Sequence, residues 1–114
     1  MKATIWHNPR CSKSRQALAI LEATPDVEVE LVEYLKTPPS RAEIEAVLTK
    51  AGVRPSDAVR KGEAVAKEIG LDTTDDKAVL DAMATHPILI ERPIVITQKG
   101  AVIARPPERA SDVL

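Results

Sequence analysis

The chain has 114 residues, 16 Lys and Arg against 17 Asp and Glu, a formal net charge of -1, and 44% hydrophobic and 29% charged residues. That is the profile of one soluble globular domain, and it excludes collagen-like, disordered and multidomain chains. A charge so near zero offers no global pull towards nucleic acid or anionic membranes, and with no Phe, one Trp and one Tyr the stacking platforms of single-strand nucleic-acid binders are missing.

No apolar run approaches the roughly 20 residues that span a bilayer, and Met1 to Pro9 lacks the apolar core of a signal peptide, so a cytoplasmic location is expected. The single cysteine, Cys11, forms neither an internal disulfide nor a thiol-only zinc site. A chain of this size buries enough surface for one core without a metal or disulfide staple, and composition demands no cofactor.

In chain order, Ala3-Thr4-Ile5-Trp6 is a short apolar segment running into the turn-prone His7-Asn8-Pro9, and reads as a buried strand that ends abruptly. A helix is expected to begin near Cys11 to Ser14, with its register carried by Ala17, Leu18 and Leu21 and with Pro25 just beyond its end. From Val27 to Tyr34 apolar and acidic residues alternate before the phase shifts at Leu31-Val32. This predicts an outer strand with one wetter face, on which Glu28, Glu30 and Glu33 are solvated. Strand, helix and strand so close together make a right-handed βαβ unit, because parallel pairing needs such a crossover.

Thr37-Pro38-Pro39 breaks the chain. Ser40 and Glu43 have the spacing of a capping box, which starts a helix with a buried face of Ile44, Val47, Leu48 and Ala51, and Gly52 is placed to end it in the left-handed conformation. Further helices are predicted at about 63–69, closed by Gly70, and at about 75–85, carrying Val79, Leu80 and Met83. Ile94-Val95-Ile96-Thr97 reads as a buried strand, and Gln98-Lys99-Gly100 as a reversal into Ala101 to Ala104, an antiparallel hairpin. Pro106-Pro107 ends it, and Glu108 to Leu114 has room for one or two helical turns. The order is β-α-β, a helical block, then β-β and a short α. This is an α/β pattern with a mixed sheet, one domain over 1–114 with a helical insertion at about 38–86.

Chemistry concentrates where the first strand hands over to the first helix. A helix amino terminus presents unpaired N–H groups and partial positive charge, which favours an anion and lowers a cysteine pKa. A lone cysteine is commonly a small buried hydrophobe, but beside His7, Arg10, Lys13 and Arg15 the electropositive setting is that of a reactive thiol. In Cys11-Ser12-Lys13-Ser14 the resolving thiol of a dithiol oxidoreductase is replaced by a hydroxyl, so a one-thiol mechanism is implied. The tyrosine-phosphatase loop is absent, because Arg15 follows Cys11 by four positions and Ala17 stands where that loop needs its arginine.

His7-Asn8-Pro9-Arg10-Cys11-Ser12-Lys13-Ser14-Arg15, Arg60 in Ala58-Val59-Arg60-Lys61, the run His86-Pro87-Ile88-Leu89-Ile90-Glu91-Arg92-Pro93-Ile94-Val95 and Ala104-Arg105-Pro106-Pro107-Glu108 together resemble the glutaredoxin-coupled arsenate reductase family, over nearly the whole chain. The resemblance implies a thioredoxin-like fold with a helical insertion, Cys11 as nucleophile, His7 lowering its pKa, and Arg60, Arg92 and Arg105 binding the oxyanion and its arsenical intermediates. It further implies Pro93 as the cis-proline of such folds, no tightly bound cofactor, glutathione as co-substrate, and arsenate and a glutaredoxin as substrate and partner. Arginines suit this chemistry physically. A thiolate attacking an oxyanion brings like charges together, and two unit charges ~4 Å apart at an effective dielectric of ~20 repel by about 4 kcal/mol, which bidentate guanidinium pairing offsets.

The residues taken singly leave alternatives open. His7 also reads as a packing or capping residue, the arginines as solvated surface, and Pro93 as an ordinary edge-strand proline. His86 is read as structural before Pro87, and two distant histidines with one cysteine make no metal set. Two other functions fit the same scaffold: a glutathione-dependent thiol/disulfide reductase, and a non-catalytic redox-responsive transcription adaptor. Adaptors of that kind usually carry Cys-x-x-Cys, whereas position 14 here is Ser.

Overall fold

A computed structural model describes residues 1–114, and its backbone begins with strand β1 (Lys2–Trp6), helix α1 (Ser12–Ala23) and strand β2 (Glu28–Val32). β1 and β2 pair in parallel, with Ile5 opposite Leu31, as the crossover through α1 requires. Late in the chain, β3 (Ile94–Thr97) and β4 (Gly100–Ile103) form the expected antiparallel hairpin. β3 also pairs antiparallel with β1, Ile5 opposite Val95, so the mixed sheet has the order β2-β1-β3-β4.

Strand position explains strand composition. The interior strands carry Ala3, Ile5, Ile94 and Val95, all fully buried. β2 lies at an edge, where Glu28, Glu30 and Leu31 are exposed and Glu30 pairs with Lys2. Its boundaries are narrower than the Val27–Tyr34 expected, and the hairpin's second strand starts at Gly100 instead of Ala101.

α1 turns Ala17 and Leu21 into a core with Ala3, Ile5, Val95, Val102, Ala104, Ala110 and Val113. Burying a leucine such as Leu21 contributes about 1.5–3 kcal/mol relative to leaving it exposed. The carboxy-terminal segment is a 3-10 helix over Pro107–Val113, packed on α1 and β4. Its buried residues, Pro107, Ala110 and Val113, recur every third position, which lines them up on one face of a helix with three residues per turn.

The chain divides into two compact units, Met1–Thr37 with Arg92–Leu114, just described, and Pro38–Glu91. In the second, α2 (Arg41–Ala51) starts at the predicted capping box: Glu43 N–H donates to Ser40 Oγ at 3.1 Å and Ser40 N–H to Glu43 Oε1 at 3.0 Å. Gly52, at φ +71°, ends it in the left-handed region that a Cβ disfavours. α3 (Pro55–Ala58), α4 (Ala64–Glu68) and α5 (Asp76–Thr85) follow, with Asp75 capping α5 through the N–H groups of Lys77 and Ala78. α3 and a 3-10 turn at Pro87–Leu89 were not anticipated, because single turns are too short to show a hydrophobic period. Ile44 and Leu48 of α2 and Val79, Leu80 and Met83 of α5 are buried where these two helices pack. No helix is long and apolar enough to cross a membrane.

Candidate active site

β1 ends when His7 donates its N–H to Val32 O at 2.8 Å, the last rung of the parallel ladder. The chain then turns. Asn8 Oδ1 accepts from Arg10 N–H at 3.0 Å, and Asn8 O accepts from Cys11 N–H at 3.0 Å, which delivers Cys11 to the position just before α1. Cys11 O then accepts from Arg15 N–H, the first helical bond, and Arg15 Nη1 reaches back to Pro9 O at 2.9 Å. The half-buried thiol thus occupies the place of a capping oxygen, with extended backbone at φ -92° and ψ 121°, though it completes no cap hydrogen bond.

Several groups act on that thiol. Burial pushes its pKa up, but the main-chain N–H groups of Ser14 and Lys13 and the Arg92 guanidinium favour the anion, and the net displacement is downward. Arg92 therefore lies beside the Cys11 sulfur. It precedes Pro93, which is buried and joined to it by a cis peptide bond, the geometry expected of this proline. Arg105 Nη1 donates to Arg92 O at 3.0 Å, which brings the second arginine to the same loop; Arg105 is itself followed by a cis bond to Pro106, which was not anticipated.

His7 is buried, and its Nδ1 lies 2.7 Å from Ser14 Oγ. Burial first, opposed by the Glu33 carboxylate and reinforced by Arg15, lowers its pKa, so the ring is neutral at pH 7. Ser14 Oγ also accepts from Asn8 N–H at 3.0 Å. His7 consequently meets the cysteine turn through Ser14. Ser14 was read only as the residue replacing a second cysteine. Its signal was its place three positions before Ala17, on the core face of α1, where a polar side chain needs an internal partner.

Arg60 lies in the helical unit. Arg60 N–H donates to Leu89 O and Glu91 N–H to Ala58 O, both at 2.8 Å, on either side of an antiparallel bridge between Val59 and Ile90. This places Arg60 beside Glu91, and the guanidinium donates to both Glu63 and Glu91. Burial lowers its pKa and the two carboxylates raise it, with a net upward result, so it is always a cation. Glu63 and Glu91 had no place in the sequence-based site. No group of three or more His, Cys, Asp and Glu side chains is arranged to hold a metal ion.

A parallel β-α-β start, an antiparallel hairpin entered through a cis-proline, and a thiol at the amino end of the first helix define a thioredoxin-like protein. Residues 6–113 match the ArsC family, and the chain belongs to it. It is 44% identical over 116 residues to an arsenate reductase of Rhizobium meliloti strain 1021, covering 100% of this chain and 82% of that one. It is 43% identical over 113 residues to the arsenate reductase of Neisseria meningitidis strain Z2491, covering 96% of each. Among solved structures, the arsenate reductase from Vibrio cholerae superposes with a TM-score of 0.92 at 39% identity, over 100% of this chain and 98% of that one.

Proposed function

We propose that the protein reduces arsenate to arsenite through a Cys11 adduct, with glutathione and a glutaredoxin as the reductants. The observation that carries this reading is the thiol of Cys11, half-buried at the start of α1 with a pKa brought down by main-chain N–H groups and Arg92, in a chain of the ArsC family. The Cys11 thiolate attacks arsenic and an arsenate oxygen leaves as water. Glutathione adds to the adduct, displacing a second oxygen as water. A glutaredoxin thiolate then attacks the glutathionyl sulfur, so two thiols become one disulfide and arsenic falls from five to three valence. Water releases arsenite and returns the Cys11 thiolate.

Each side chain has a part in this scheme. Arg92 stabilises the thiolate and, with Arg105, offsets the repulsion between thiolate and oxyanion, while Arg60 is assigned to oxyanion binding by the family resemblance alone. His7 is a positioning residue that acts through Ser14. The external thiols follow from the cysteine count, since one cysteine supplies one sulfur and the reduction needs two electrons. No helix spans a membrane, and a cytoplasmic location fits a reaction drawing on a reducing thiol pool.

The test compares two reducing systems at equal enzyme: glutathione with glutaredoxin and glutathione reductase, and thioredoxin with its reductase, each followed by arsenate-dependent NADPH consumption. Turnover is expected with the first and little with the second. Equal rates with thioredoxin alone overturn the glutaredoxin coupling. No arsenate reduction with either system, together with cleavage of glutathionylated protein substrates, overturns the arsenate reading in favour of a thiol reductase.

A further inference from the structure

Ser14 is fully buried, and its hydroxyl has two polar neighbours, Asn8 N–H at 3.0 Å and His7 Nδ1 at 2.7 Å. A serine hydroxyl carries one proton and two lone pairs, and inside a protein that proton needs an acceptor. Asn8 N–H can only donate, so it takes a lone pair. Hydroxyls near helix ends often give their proton to the carbonyl four residues back, as Thr24 does to Ile20 O and Thr85 to Asp81 O. Ser14 makes no such bond, and the acceptor left to it is His7 Nδ1. The Ser14 proton therefore points at Nδ1, and the neutral ring carries its own proton on Nε2.

We infer that Ser14 is a positioning residue for the nucleophile and that His7 serves it solely as a neutral acceptor. The hydroxyl, its proton anchored on Nδ1, ties Asn8 to the first turn of α1 and so holds Cys11 in front of the free N–H groups of that turn. The inference rests on the reading of Cys11 as nucleophile and deepens it. Asn8 O accepts from Cys11 N–H and Asn8 Oδ1 from Arg10 N–H, both at 3.0 Å, so fixing Asn8 fixes the turn that delivers the sulfur. Ser14 is also the third residue of α1, whose N–H faces the side chain of the residue that caps the helix, here Cys11. One side chain thus holds both the turn and the donor. A protonated ring would turn an N–H towards Ser14 Oγ and leave the hydroxyl proton with no acceptor, so the arrangement exists only with His7 neutral. The charges that face the ring are those of Glu33, beyond β2, and of Arg15 and Glu22 on α1, while Arg92 faces Cys11.

The readouts are the ring nitrogen chemical shifts of His7 and the rate of Cys11 alkylation as a function of pH. At pH 7 the shifts should report a bare Nδ1 and a protonated Nε2, and a proton on Nδ1 overturns the inference. Ser14→Ala and His7→Leu each break the link between Oγ and Nδ1. On the acid side of the wild-type midpoint each is expected to slow alkylation roughly tenfold, the effect on the thiolate population of losing one charge-assisted hydrogen bond. His7→Asn puts a carbonyl oxygen as far from the backbone as Nδ1 but cannot titrate, and it should restore most of the rate that His7→Leu loses. Equal losses in His7→Asn and His7→Leu would mean that the imidazole itself acts on the sulfur, and unchanged rates in Ser14→Ala and His7→Leu that the hydroxyl positions nothing. Either result overturns the inference. Circular dichroism verifies folding, and if Ser14→Ala does not fold, the two His7 variants and the ring shifts decide. Because alkylation is followed in place of turnover, a failure of the arsenate reading and a failure of this inference are told apart.

Discussion

The sheet unit and the helical unit set a partly buried arginine against different partners. In the sheet unit Arg92 lies beside a sulfur that ionises, and its charge favours the Cys11 thiolate. In the helical unit Arg60 donates instead to two carboxylates of the protein, Glu63 and Glu91. The two units also hold together differently. Pairing of β1 with both β2 and β3 ties the first across long stretches of sequence, whereas the second relies on local devices: the Ser40 and Glu43 box, the Gly52 stop and the Asp75 cap. An arginine beside a nucleophile and one held by two carboxylates are not interchangeable, although the sequence writes both simply as arginine.

The sharpest way to break this comparison is at the sulfur. Cys11→Ser is expected to abolish arsenate reduction while leaving the melting temperature of the protein unchanged, because hydroxyl and thiol are nearly isosteric but the hydroxyl stays protonated. Turnover above background, measured as arsenite formed, would remove Cys11 from the mechanism.

Core substitutions sharpen the structural half of the contrast. Leu21→Ala in the sheet unit and Leu48→Ala in α2, both fully or almost fully buried, should each cost about 2–5 kcal/mol of stability. Amide hydrogen exchange should rise first in α2 and α5 for Leu48→Ala, and in α1 and the strands for Leu21→Ala. Uniform acceleration in both variants would show that the two units open as one and that the contrast is only geometric.

Arginine shape comes next. Arg92→Lys and Arg105→Lys preserve charge but lose the planar fork, and each should slow kcat/KM by about ten- to hundredfold, corresponding to roughly 1.5–3 kcal/mol of transition-state stabilisation. Wild-type kinetics in both would place these two arginines outside the reaction.

The smallest effect expected is a shift in titration. With its pKa displaced downward, Cys11 keeps a high thiolate fraction below the ordinary thiol value of ~8.5 and loses it as the pH falls through the depressed value. Its alkylation rate should therefore level off at a lower pH than that of a free thiol, and Arg92→Gln should move the midpoint back up. A midpoint that does not respond to Arg92→Gln would separate this arginine from the sulfur.

Local chemistry is what the sequence made legible. The capping box at Ser40, the left-handed stop at Gly52, the turn at Asn8-Pro9 and the start of α1 at Cys11 all depend on residues within one turn of each other, where side-chain type dictates backbone conformation. The position of Cys11 at a helix amino end, and with it the Ser14 and Lys13 N–H groups that favour its anion, needed nothing more. Tertiary structure alone decided the partners. Sheet order put β3 beside β1 and so brought Arg92 to Cys11; folding of α1 onto the sheet turned Ser14 inward to His7; and the bridge of Val59 with Ile90 set Glu91 against Arg60. Such pairings join residues far apart in the chain, and composition and period carry no record of which distant segments meet. That is settled by which burial and backbone pairing together repay the entropy of closing the loops between them.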